Sequence, residues 1–222
     1  MTFFLFALTF CLSSTVYSEW DPSYLHQHHS AIHSKLFSKK YDQLKKQVTK
    51  ELKNSWCSEE KINLIMDLIL LSTPKTCVEV GVHRGASLLP IAATLKYLNG
   101  GVVFCVDAWS NMESVRHLKD DDLNKKWWSS VDMNDIYRSF KQLITKWSLK
   151  PFCIEIHKSS DQAIDEIPQE IDFLHLDGDY SEIGALQDVE LYLPKVKKGG
   201  YILLSNLYIM VQREQPKIKA FC

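Results

Sequence analysis

The chain has 222 residues, 45% of them apolar and 24% charged, and a formal net charge of −1. Those figures suit one globular domain with a short preamble and exclude wholesale disorder. They also argue against a general nucleic-acid binder, which needs a basic patch to neutralise phosphates; Lys39-Lys40, Lys45-Lys46 and Lys197-Lys198 are short pairs that read as solvated faces.

Residues 1–18 read as a signal-like leader. Thr2 to Leu12 is almost wholly apolar, and Val16-Tyr17-Ser18 places small residues at −3 and −1 of a signal-peptidase site. The stretch is short for a membrane span. It lacks Lys and Arg, which leaves an uncleaved anchor or a misassigned start as the other readings. A leader points to export or membrane association, and once it is removed no membrane span is expected. The cysteines point to a cytoplasmic, reducing compartment. Of six, Cys11 falls in the leader, and Cys77, Cys105 and Cys153 each sit in a short apolar run where a thiol packs as a small hydrophobe.

Residues 19–57 form a polar linker and an N-terminal helix. His26, His28, His29 and His33 have no Cys or carboxylate at ligand spacing, so a solvated linker is preferred to a metal site. Leu36, Phe37, Tyr41, Leu44, Val48 and Leu52 have the spacing of an amphipathic helix within 35–54. The main domain is expected over 58–222. It opens on a helix capped by Ser58, with Ile62, Ile65, Met66, Ile69 and Leu70 facing the core.

From Thr76 the pattern alternates. Cys77 to Val80 is β-prone, Gly81 to Gly85 a loop, and Ala86 to Leu98 a helix broken by Gly100-Gly101. Val102 to Val106 is a second strand ending at Asp107, and 108–150 is a polar, Trp-rich insertion with helical stretches. Phe152 to Ile156 is a third strand, Asp161 to Ile167 a short helix, and Ile171 to Leu176 a fourth strand ending at Asp177. Glu182 to Leu193 is a helix closed by Pro194 and Gly199-Gly200, and Tyr201 to Leu204 is a fifth strand. Strand and helix in alternation predict an α/β, doubly wound, mostly parallel sheet. The continuous apolar strands predict burial on both faces.

In such sheets ligands bind beyond the carboxyl ends of the strands. Gly81 and Gly85 allow a tight turn and close approach of backbone, and the following helix aims N–H groups at a ligand. Asp107, at the second strand end, offers a carboxylate to a ribose diol. Asp177 ends the fourth strand within Leu174-His175-Leu176-Asp177-Gly178-Asp179-Tyr180. Each feature alone is common turn or cap chemistry; their joint order and spacing are specific.

Val78-Glu79-Val80-Gly81-Val82-His83-Arg84-Gly85 resembles the first motif of class I S-adenosylmethionine-dependent methyltransferases, an acidic residue followed by G-x-x-x-G. Phe173 to Tyr180, then Asp188 to Gly200, resembles the branch with sugar and small-molecule O-methyltransferases; the likeness covers about residues 60 to 210. It implies a Rossmann-like fold, S-adenosylmethionine as cofactor, and methyl transfer to an oxygen of a small molecule or sugar. It further implies that Glu79, Gly81 and Gly85 line the methionine and ribose side, that Asp107 binds the ribose hydroxyls, and that Ser159, Ser160 and Asp161 lie near the adenine. Asp177 would sit beside the methionine end and the acceptor, and Asp177 and Asp179 are the candidates for acceptor contact or base. His83 reads as a polar loop residue, or as one placed over the transferred methyl. Trp109, Trp127 and Trp128 read as packing of the insertion, or as an acceptor lid.

Two positions depart from the branch. Metal-using members carry acidic residues after the fifth strand, where this chain has Ser205-Asn206, so no metal is expected. Tyr180 stands where many relatives have His. Only Gln212 to Cys222 follow the fifth strand's neighbourhood, so the terminal antiparallel strand pair is expected to be missing and the open sheet edge to favour self-association. Two other readings remain: a non-catalytic remnant or binding module, and a nicotinamide-dependent dehydrogenase. The latter lacks G-x-G-x-x-G, because position 83 is His.

Overall fold

The computed structural model describes residues 38–205. The leader, the histidine-rich linker, Cys11, Asn206 and 212–222, on which the missing-strand-pair expectation rests, lie outside the described residues.

Two helices lead in, α1 (Lys39–Glu51) and α2 (Glu59–Ser72). Both are capped by serine: Ser38 Oγ accepts from Tyr41 N and Ser58 Oγ from Lys61 N, satisfying donors the helix cannot. The alternation then runs β1 (Thr76–Val80), α3 (Leu88–Leu98), β2 (Val102–Asp107), the insertion helices α4 (Asn111–Ser114), α5 (Leu123–Ser130) and α6 (Met133–Lys146), and β3 (Cys153–His157). It closes with α7 (Ser160–Ala163), β4 (Ile171–Leu176), α8 (Glu182–Tyr192) and β5 (Val196–Leu204). All strand pairings are parallel, in the order β3-β2-β1-β4-β5. The predicted doubly wound α/β sheet is therefore the fold.

Side chains alternate between the two faces of a strand, and each face has its own core. Cys77, Val103, Cys105 and Phe173 pack against α1, α2, α3 and α6. Val78, Val80, Val106, Ile156, Leu174 and Leu176 pack with Ala163, Ile167 and Tyr192 on the other side. The N-terminal helix joins the first of these cores, since Tyr41 and Val48 are fully buried. Cys77 and Cys105 are buried free thiols, as expected of packing cysteines, whereas Cys153, given the same reading, is half-buried; Cys57 is a further buried thiol.

The fifth strand differs from expectation. It starts at Val196, five residues earlier than predicted, so Gly199 and Gly200 lie inside the strand rather than before it. A register shift against β4 between Ile171 and Phe173 accommodates the extra residues. Tyr201 and Ile202 are exposed despite their apolar character, because β5 is the last strand of the described sheet.

Candidate active site

The carboxyl ends of β1, β2, β3 and β4 open into one cavity of about 1100 Å³, room for a nucleoside cofactor and a second small molecule. It is lined by Gly81 and His83 after β1, Asp107 and Trp109 after β2, Ser159 and Ser160 after β3, and Asp177 and Asp179 after β4.

The β1 loop is built around close approach. Gly81 has φ +88°, and a Cβ there would stand 2.3 Å from the Asp177 carbonyl oxygen. Only glycine tolerates both. Gly81 N donates to Val106 O at 2.9 Å and Asp177 N to Val80 O at 2.9 Å, which stitches the three strand ends together. His83 is also left-handed at φ +51°, a strained setting for a non-glycine residue. Asp107 pins it there: Oδ2 accepts from His83 N at 2.7 Å and Oδ1 from Trp109 N at 2.7 Å, while Trp109 Nε1 donates to His83 O at 2.9 Å. Burial raises the Asp107 carboxyl above its usual range, against these two backbone donors. Burial also pushes His83 down to about 4, with the Arg84 charge adding to it, so its ring is neutral near pH 7. His83 Nε2 is buried without a hydrogen-bond partner among the described residues.

Three of the candidate cofactor-binding residues stand outside the cavity lining. Gly85, φ +85°, faces α6, where a Cβ would stand 3.0 Å from Leu143 Cδ2. Asp161 accepts from Arg116 at 3.2 Å, and it is Arg116 that lines the cavity. Glu79 is fully buried in β1, accepting from the Ser87 hydroxyl and lying 3.0 Å from His175 Nδ1, its register partner on β4. Glu79 Oε2 has no partner among the described residues.

The β4 end carries the densest polar chemistry. Asp177 Oδ2 accepts from Lys61 Nζ at 2.9 Å. Asp179 is held differently: Oδ2 is 2.7 Å from His117 Nδ1 and Oδ1 accepts from Ser181 N at 2.7 Å. Gly184 makes room for it, since a Cβ there would stand 2.0 Å from Asp179 Oδ2. Below this loop lies Asp188, 4% exposed, whose carboxyl burial pushes up to about 6.

One wall is aromatic. Trp56 stacks on His83 at 5.0 Å, Trp128 meets His83 edge-on at 5.9 Å, and Trp128 stacks on Tyr180 at 6.4 Å. Trp127 packs against Trp56 and Trp128 while remaining 45% exposed. Trp109 instead stacks on Phe140 at 5.0 Å and is buried. The insertion thus packs through Trp109, while Trp128 lines the cavity.

Sequence reasoning missed Lys61, Trp56, Arg116, His117 and Asp188. Lys61 alone carried a signal. It is the third residue of a Ser-capped helix, where the helix dipole favours acids.

Residues 78–207 match the protein family described as "Methyltransferase domain". No curated protein matches the chain. Among solved structures, the O-methyltransferase TomG from Streptomyces achromogenes, involved in tomaymycin synthesis and solved with SAM, superposes with a TM-score of 0.52 at 12% identity, covering 85% of this chain and 76% of that one. A methyltransferase from Podospora anserina, solved with SAH, gives a TM-score of 0.51 at 10% identity, covering 89% of this chain and 74% of that one. At such identities the likeness is one of fold.

Proposed function

The chain belongs to the methyltransferase domain family matched over more than half its length and is a class I S-adenosylmethionine-dependent methyltransferase, and on that premise we propose that it methylates an oxygen of a small molecule bound beside Asp177 and Asp179. The observation that carries this reading is the cavity itself, which joins the diol-binding type of carboxylate at β2 to a polar cluster at β4 beneath an aromatic wall.

The residues present fit the cofactor. Each oxygen of Asp107 has one backbone donor and keeps a second lone pair for a ribose hydroxyl. Gly81 and His83 bring backbone to the cavity wall, and His83 Nε2 is buried without a partner among the described residues. Ser159 and Ser160 would border the base. Glu79, through Ser87, and Gly85, through its fit against α6, would support the loop from behind; Asp161 would act through Arg116. S-adenosylmethionine supplies a methyl group activated on a sulfonium sulfur. The chain's part is to orient the acceptor, exclude water with Trp56 and Trp128, and take the acceptor's proton on Asp177. Asp179, held by His117 and the Ser181 amide, is suited to contact the acceptor through the same loop.

Incubating the full chain with S-adenosylmethionine and a panel of hydroxylated and amino small molecules, read by mass spectrometry, tests this. O-methylated products are expected. Products methylated only on nitrogen would contradict the oxygen-acceptor reading.

A further inference from the structure

Lys61 enters the cavity from α2, outside every strand-end motif. As a cation in the first turn of a helix it opposes the helix dipole, so its own element gives no reason for it. Its ammonium donates to Asp177 Oδ2 at 2.9 Å and to Ser205 Oγ at 2.7 Å. Ser205 Oγ lies 3.0 Å from His175 Nε2, and His175 Nδ1 lies 3.0 Å from Glu79 Oε1. A row of polar side chains therefore runs from Lys61 at the cavity into the centre of the sheet, with His175 and Glu79 fully buried. Burying such groups costs stability, and apolar residues of similar volume often hold a sheet as well or better, so the row points to a role beyond holding the sheet.

An ammonium has three donors. Two are committed to Asp177 and Ser205, and the side chain is about one quarter exposed, within the cavity lining. Asp177 is its ion-pair partner, His175 Nε2 lies 3.7 Å from the same carboxylate, and burial pushes the neighbouring Cys57 thiol up to about 12, so it stays neutral. Lys61 is thus the cation nearest the Asp177 carboxylate, fixed before any ligand arrives.

We propose that Lys61 is the oxyanion-binding residue of the acceptor subsite, its remaining N–H holding the acceptor oxygen as that oxygen loses its proton. The proposal rests on the methyl-transfer-to-oxygen reading above. In the step, the acceptor O–H proton passes to Asp177. The oxygen, its developing charge beside Lys61 Nζ, forms a bond to the methyl carbon; the carbon–sulfur bond breaks and its electron pair stays on sulfur, leaving a thioether. Ser205 and Asp177 keep the ammonium aimed, and the His175–Glu79 pair fixes Ser205 from behind.

A probe that reports its own ionisation tests this without turnover. 4-Nitrophenol, whose phenolate has its own visible absorbance, is titrated with base on the full chain saturated with S-adenosylhomocysteine, using wild type, Lys61→Met and Lys61→Arg. A cation within about 4–6 Å lowers an acid's pKa by about 1–3 units. The bound probe is expected to ionise that much earlier than free probe on wild type and Lys61→Arg, and at its free value on Lys61→Met. S-adenosylhomocysteine affinity is expected to stay within about threefold in all three, because Lys61 touches the acceptor side. A shift that survives in Lys61→Met overturns the proposal, as does a wild type that binds S-adenosylhomocysteine but shows no bound phenolate. Failure of wild type to bind S-adenosylhomocysteine would instead strike the methyltransferase reading on which the proposal stands.

Discussion

The carboxylates of Asp107 and Asp188 serve different ends. Asp107 uses its oxygens to hold His83 and Trp109 in place and keeps lone pairs toward the cavity. Hydrogen bonds to a charged group are worth roughly 1.5–3 kcal/mol, so Asp107→Ala is expected to weaken S-adenosylhomocysteine binding by about tenfold or more in calorimetry. An unchanged affinity in a folded variant would make Asp107 a loop pin and nothing else. Asp188 has hydrogen bonds from Ser160 and the Asp179 backbone, but burial outweighs them. Its carboxyl moves from 3.8 to about 6 on burial, so the folded state binds the extra proton between about pH 4 and 6. Stability from this group is therefore fullest below pH 4, falls as pH rises through that window, and stays low above it. At roughly 1.4 kcal/mol per unit the loss is at most about 3 kcal/mol. Asp188→Asn is expected to raise the melting temperature at pH 8 and to change little at pH 4; a lower melting temperature at pH 8 would contradict this. Asp107 was legible in the sequence because it ends a strand at the right distance from the glycine loop. Asp188 was not, because an acid within a helix reads as solvated until the β4 loop is seen to fold over it.

Among the elements, the strands and their end loops were the most legible, since continuous apolar runs punctuated by Gly81 and Asp177 leave few alternatives. The β5 start was missed because Lys197, Lys198, Gly199 and Gly200 look like a turn, whereas parallel pairing with β4 draws them into the strand. The place of Lys61 on α2 and of Trp56 just before it was not legible as part of the site, because both reach the strand ends only through tertiary packing. The insertion helices bring Trp128 beside Tyr180 and His83. Aromatic contacts contribute about 0.5–1.5 kcal/mol beyond area burial, so Trp128→Ala is expected to raise the acceptor KM by about threefold to tenfold while leaving S-adenosylhomocysteine affinity nearly unchanged. Equal losses in both would place Trp128 in the cofactor's support rather than on the acceptor side.

At the scale of the whole molecule, the doubly wound sheet was readable from alternation alone, but the extent of its core was not. Residues 39–51 looked like a preamble, yet α1 places Tyr41 and Val48 in the same core as β1 and β2, with Tyr41 Oη donating to Asp67 at 3.1 Å. Removing a buried aromatic side chain costs about 3–5 kcal/mol, so Tyr41→Ala is expected to lower the melting temperature by about 10 °C. A shift of a degree or two would mean that α1 is an appendage. The fold, the strand-end cavity and the family all converge on one claim, that the cavity is built for S-adenosylmethionine. Parallel calorimetric titration of the full chain with S-adenosylhomocysteine and with NAD tests it most directly. Saturable binding of S-adenosylhomocysteine in the micromolar range with no heat from NAD is expected; tight NAD binding with no response to S-adenosylhomocysteine would contradict it.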